Sequence, residues 1–151
     1  GTYRSGAYPS WPQATGPDNG TTVQQPAPVA VALRGGVLGV HPRVDGPAGA
    51  SVVNWESILS KMVSAHGNDT AFIFGHGKDG LVLGTKADVT FFRDYLAAAL
   101  ALVSAGIKAG QPKEEVAKVA ALKGFEDVVQ VNPRITLAGV LESAYDELNK
   151  K

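Results

Sequence analysis

The sequence predicts a mixed α/β domain that has few strands, a helix-rich C-terminal part and an extended N-terminal arm. Three observations lead to this fold class. Short β-prone runs alternate with longer segments whose apolar residues recur every three or four positions. The last 40 residues show only the helical period. The first 28 residues are rich in Pro, Gly, Thr and Gln and show neither period.

The N-terminal arm is residues 1–28, and the predicted domain is residues 29–151. The arm carries aromatic side chains, of which Tyr8 and Trp11 are the candidate contacts with a partner protein. Aromatic residues that bury both an apolar body and a polar tip are frequent anchors in interfaces. The alternative is that the arm is a disordered tail or linker, as its composition also suggests.

The predicted strands are short. Val29–Leu33 and Val37–Val40 are β-prone runs separated by Arg34-Gly35-Gly36, a pattern that favours a hairpin or a bulged strand pair. Ala71–Phe74 is wholly apolar, which predicts a strand buried on both faces. A glycine-rich turn follows that strand, and Leu81–Leu83 is the next β-prone run.

Four helices are predicted from periodicity and from their terminal residues. Ser51 begins the first, which Gly67-Asn68 ends, and Thr85 begins the second, with Asp88 in a capping-box position. The second runs to about Lys108. The third is predicted over Pro112–Lys123 and the fourth over Thr136–Asn149.

The second predicted helix is apolar on every side around Leu96–Val103. A helix of that kind needs cover all round, so we expect either a partner protein or self-association. Its longest apolar run, Tyr95–Ile107, is shorter than the roughly 20 residues that cross a bilayer, so a buried helix is expected rather than a membrane span.

The charge balance and the absence of cysteine limit the function classes. Lys+Arg and Asp+Glu both number 14, so the chain lacks the basic excess that nucleic-acid binding normally requires. Zero net charge also leaves little repulsion between copies. Without cysteine there are no disulfides, thiolate ligands or cysteine nucleophiles. The arm and the lack of cysteine together favour an extracytoplasmic, periplasmic setting, and Gly1–Ser10 shows no signal peptide.

Several short motifs from His41 onward, in a fixed order, resemble the C-terminal half of metallo-β-lactamase-fold hydrolases. In that family a buried strand delivers a Gly-His-Gly turn and a helix of the ADxxxFRDYL type follows. The motifs are His41–Asp45, Gly49–Ser51, Asn54-Trp55, Phe72–Gly77, Lys86–Leu96, Lys113–Leu122 and Gly124-Phe125. The resemblance implies part of an αββα layered fold.

The resemblance also implies a metal site, usually zinc, of which this chain holds a small part. His76 matches a ligand position of the family, and His41 is a second candidate ligand, although it also suits a turn. The family's His-x-His-x-Asp-His motif is not in the sequence, and a catalytic zinc takes about three protein ligands.

Two functions follow from the resemblance. The first is a non-catalytic structural or binding subunit without a metal cofactor, which docks on a larger assembly. The second is part of a zinc-dependent hydrolase whose remaining ligands come from another chain or from residues outside this sequence.

Overall fold

The computed structural model describes residues 30–150, together with residues 14–15 and 22–23 of the predicted arm. The fold is mixed α/β, as the sequence predicts. Two sheets are present among these residues, one of two strands and one of three. In chain order the elements are β1 (Ala14–Thr15), β2 (Thr22–Val23), β3 (Ala30–Leu38), α1 (Val52–Ala65), β4 (Ala71–Gly77), β5 (Leu83–Gly84), α2 (Lys86–Lys108), α3 (Lys113–Val116) and α4 (Leu137–Leu148).

The larger sheet has the strand order β3-β4-β5. β3 and β4 are parallel, with α1 as the crossover between them, and β5 returns antiparallel to β4. One row of the sheet runs across Ala32, Ile73 and Leu83, which are paired in register. In the predicted arm, β1 and β2 form a separate antiparallel pair that the sequence did not indicate.

The two β-prone runs around Arg34–Gly36 form one strand, and the expected hairpin is wrong. The three residues stand opposite Gly75 alone, between the pairs Leu33–Phe74 and Val37–His76, so they form a bulge in β3. Gly35 has φ 87°, a conformation that glycine adopts without cost. A Cβ on Gly36 would lie 2.8 Å from that of Leu33. The glycines therefore serve the bulge rather than a chain reversal.

The sheet has one covered face and one open face, which corrects the prediction that β4 is buried on both. Phe72 and Phe74 of β4 are buried, whereas Ala71 and Ile73, which alternate with them, are only half-buried. The covered face, which also includes Leu33, packs against α2. The wholly apolar run therefore reflects two apolar faces of which one is covered.

The helix α1 confirms the predicted beginning and end. The Ser51 hydroxyl accepts a hydrogen bond from the backbone N–H of Asn54 at 2.9 Å, as expected of an N-cap. A carboxylate oxygen of Glu147, in α4, accepts the N–H groups of Val52 at 2.8 Å and Val53 at 3.3 Å. This contact ties the C-terminal helix to the first turn of α1.

The helix α2 also has the predicted bounds, and it is the central helix of the core. The Asp88 carboxylate accepts the N–H of Thr85 at 2.7 Å. Seven of its residues are buried, and it packs against α1, α4 and the sheet. Among the described residues, α2 is also the one helix long and apolar enough to cross a membrane by length and composition. Core helices meet the same criterion.

The predicted helix Pro112–Lys123 is wrong beyond its first turn, because α3 ends at Val116. Val116 and Leu122 are both buried. Six residues of an α-helix turn through about 600°, so a continuous helix would point these two side chains about 120° apart. Ending the helix lets both reach the core. α4 begins after Thr136, whose hydroxyl accepts the N–H of Gly139 at 3.0 Å, and confirms the fourth prediction.

Candidate functional site

The two candidate histidines lie at the same edge of the sheet, where the parallel strands β3 and β4 end. His76 is paired with Val37, and Gly77 with Leu38. His41 follows three residues after Leu38, beyond Gly39 with φ 70°. Because parallel strands present their carboxyl ends at one edge, the topology brings both residues to that edge.

His76 is exposed to solvent between its two glycines. Close backbone contacts fix the turn that displays it, since a Cβ on Gly77 would overlap the carbonyl of Leu81. Within residues 14–15, 22–23 and 30–150, no three His, Cys, Asp or Glu side chains are grouped closely enough to hold a metal ion. His76 is thus presented as a ligand would be, without a described set of co-ligands.

His41 is half-buried and its ring Nδ1 lies 2.8 Å from the hydroxyl of Tyr95 in α2. Burial lowers the pKa of His41 and raises the pKa of the Tyr95 hydroxyl well above its usual range. The phenol therefore stays protonated, and one hydrogen bond joins its oxygen to Nδ1 of His41. Nε2 is the ring nitrogen that Tyr95 does not contact.

Tyr95 links His41 to an aromatic cluster that the sequence did not predict. Its ring meets Phe125 edge-on at 5.8 Å, and Phe125 lies 5.0 Å from Phe91. The backbone adds to this link, since the N–H of His41 donates to the carbonyl of Val129 at 3.3 Å. The segment after α3 is thereby held on the end of β3. The geometry supports a structural role for His41.

His66 has a different environment from the other two histidines. It is the C-cap of α1, where its N–H donates to the carbonyl of Met62 at 3.2 Å. Its ring meets Phe72 edge-on at 5.8 Å. The position of His66 therefore gives it a capping role at the end of α1.

A small cleft lies beside the His41 segment, between Arg43 and Arg134. Its volume is about 180 Å³, and its lining is Pro42–Asp45, Arg134–Thr136 and Gly139. Arg43 lies 3.5 Å from the carboxylate of Asp45, and its side chain is largely exposed. The mixed charge and the exposed arginine do not define a binding site for one class of ligand.

A further candidate surface is the open face of the sheet, which we define as Ala30, Ala32, Ala71, Ile73 and Leu83. Register and alternation place these side chains on the side opposite Phe72 and Phe74. All five are apolar. Leu83 is 69% exposed, and Leu81, two residues before it, is 65% exposed. A surface that is continuous, apolar and exposed is a common sign of an interaction site.

The sequence contains a signal for the open face in the apolar run of β4. A wholly apolar strand indicates two apolar faces, and it does not show whether this chain covers both. Tyr8 and Trp11, the two candidate partner contacts of the arm, lie outside the described residues. No protein-family model matches this chain, and no curated protein sequence matches it significantly.

Proposed function

We propose that this chain is a non-catalytic structural or binding subunit, related to metallo-β-lactamase-fold hydrolases, which docks on another protein chain through its open face. The observation that carries the proposal is the apolar surface of Ala30, Ala32, Ala71, Ile73 and Leu83 on the side of the sheet opposite the helices. A sheet normally buries one apolar face, and a second apolar face calls for a second covering layer.

The energetics of exposed leucines support this use of the surface. Burial of a leucine side chain contributes roughly 1.5–3 kcal/mol, so Leu81 and Leu83 together could contribute several kcal/mol to a contact. The sheet presents them on β5 and the segment before it, at the edge of the core. Aromatic residues of the arm, Tyr8 and Trp11, are proposed as further contacts with the same partner.

The non-catalytic part of the proposal is supported by the small number of candidate ligands. His76 is the one residue that matches a family ligand position. Nδ1 of His41 is engaged in the contact with Tyr95. A catalytic zinc site takes about three protein ligands and an open position. An extracytoplasmic location remains part of the proposal, on composition alone.

The alternative is that the chain is part of a zinc-dependent hydrolase. One observation favours it, since His76 is displayed at the same strand edge that His41 follows. In that case a second chain, or residues outside this sequence, would supply the other ligands. The zinc would activate a water for hydrolysis.

Native mass spectrometry with metal analysis of the purified full chain separates the two functions. If the chain is a binding subunit, we expect each measured mass to equal the sum of whole protein chains, with less than one zinc per ten chains. Stoichiometric zinc that is lost in His76→Ala and retained in the matched control His66→Ala would overturn the proposal. It would establish the alternative.

A further inference from the structure

We infer that the partner of the open face is a second copy of this chain, and that the two copies pack sheet against sheet. This inference rests on the proposed function, because it names the occupant of the same surface. The contact would turn a layer of helices on a sheet into helix, sheet, sheet and helix layers, in which both faces of each sheet are covered.

The charge pattern favours a self-contact. In a two-fold contact each residue meets the same patch of the other copy, so any charge near the axis lies close to its own duplicate. None of the five residues of the open face is charged, and the chain as a whole has 14 basic and 14 acidic residues. A self-contact made by these five residues therefore brings no like charges together.

The shape of the face also fits its own duplicate. Across the row Ala32, Ile73 and Leu83, the side chains increase from small at β3 to large at β5. A two-fold axis that runs along the strands between two packed sheets brings β5 of one copy over β3 of the other. Leu83 of each copy then lies over Ala32 of its partner, with Ile73 near the axis. Large side chains meet small ones, as packed sheet interfaces require.

The size of the face sets the strength of the contact. The strands are spaced about 4.8 Å apart and rise about 3.3 Å per residue; with about seven residues each from β3 and β4 and only two from β5, the footprint is on the order of 250 Å². Standard interfaces bury about 800 Å² on each partner. The self-contact is therefore weak and reversible, and the dimer population depends on concentration.

Sedimentation equilibrium of the full chain from about 5 µM to about 500 µM tests the inference. The weight-average mass should rise from the monomer value of 15.7 kDa towards twice that value. Leu83→Asp should remain a monomer over the range, since dimerisation would bury two carboxylates. Ile58→Asp is the matched control, since Ile58 is an exposed apolar residue of α1, away from the sheet. It should dimerise as the parent chain does.

The absence of cysteine allows a second test of the arrangement. Ala32→Cys and Leu83→Cys are prepared as separate single variants, because the parent chain has no thiol. Mild oxidation of a mixture of the two should give a disulfide between unlike variants at least fivefold faster than either variant alone gives its own dimer. Faster linking of like variants would overturn the two-fold axis along the strands.

Two results would overturn the self-contact itself. The first is a constant monomer mass at every concentration, and the second is a mass increase that Leu83→Asp does not reduce. Far-UV circular dichroism and urea unfolding confirm that each variant is folded. Neither result would imply that the chain binds zinc. Failure of the self-contact is therefore distinct from failure of the proposed function, which is decided by the zinc content of the parent chain and of His76→Ala.

Discussion

The two faces of the sheet are made from the same strands and have opposite environments. Phe72 and Phe74 point to the covered face and are 0% and 2% exposed, whereas Ile73 between them is half-buried and Leu83 beside it is 69% exposed. Both faces are apolar. An apolar strand sequence therefore indicates which faces of a sheet are apolar. Whether each face is covered depends on how the rest of the chain packs.

Polar groups follow the same division. On the covered side Tyr95 is 2% exposed, and its buried hydroxyl is hydrogen-bonded to the ring of His41. On the other side, the five residues that define the open face carry no polar group in their side chains.

Replacement of Phe72 and of Ile73 by alanine gives the largest expected contrast between the two faces. Phe72→Ala leaves a cavity among fully buried neighbours and should lower the free energy of unfolding by about 3–5 kcal/mol. Ile73→Ala should cost about 1 kcal/mol in the monomer, because the side chain keeps much of its contact with water. Urea unfolding at low protein concentration measures both. Equal losses would show that the open face is covered within the chain.

Two glycines allow a buried and an exposed position to be compared in the helices as well. A Cβ on Gly106 of α2 would lie 2.5 Å from Cγ2 of Val116, so Gly106→Ala should force α3 away and cost about 1–3 kcal/mol. This cost exceeds the gain in helix propensity of about 1 kcal/mol.

Gly139→Ala is the matched change on the exposed side of α4, where the nearest atom lies 3.5 Å away. It should stabilise the protein by up to about 1 kcal/mol. Thermal unfolding with fitted enthalpies measures both variants. A stable Gly106→Ala variant would mean that α3 does not pack closely on α2.

Removal of the Tyr95 hydroxyl tests the polar contact on the covered side. Tyr95→Phe leaves Nδ1 of half-buried His41 without its hydrogen-bond partner and should lower the free energy of unfolding by about 1 kcal/mol. Asp88→Asn, at the first turn of α2, leaves the His41–Tyr95 contact intact. It serves as a control for a polar change elsewhere in the same helix.

The same contact predicts a dependence of stability on pH. Burial lowers the pKa of His41 in the folded protein from its ordinary value of 6.5, so the unfolded chain binds the proton more readily. The contribution of His41 to stability is therefore complete above about pH 6.5 and is lost as the pH falls through 6.5 towards the lower folded pKa. Unfolding free energies of the parent chain and of His41→Gln, compared between pH 7.5 and 5, should converge at acid pH. A constant difference would contradict this account.

Local signals in the sequence predicted most of the helices, because their causes are local. Ser51, Thr85 and Thr136 begin helices at the predicted residues, and a glycine follows the end of α1 and of α2. The helix predicted after Pro112 failed since Val116 and Leu122 must reach one core, which is a tertiary requirement. The contact between His41 and Tyr95 spans 54 residues of the chain and leaves no periodic trace. Candidate site residues could therefore be named from the sequence, but their environments could not.

Substitution of Leu83 should have the smallest effect on the stability of the monomer. It is also the most direct test of whether a second chain covers the open face. Because its side chain is 69% exposed, Leu83→Thr should change the free energy of unfolding by no more than about 0.5 kcal/mol at low micromolar concentration. Threonine also suits a strand, so the local structure is retained. If the open face is covered by a second chain, the stability of the parent protein should rise with protein concentration, whereas that of Leu83→Thr should rise less. Thermal unfolding at two concentrations a hundredfold apart makes the comparison, and parallel behaviour of the two proteins would place any association elsewhere on the surface.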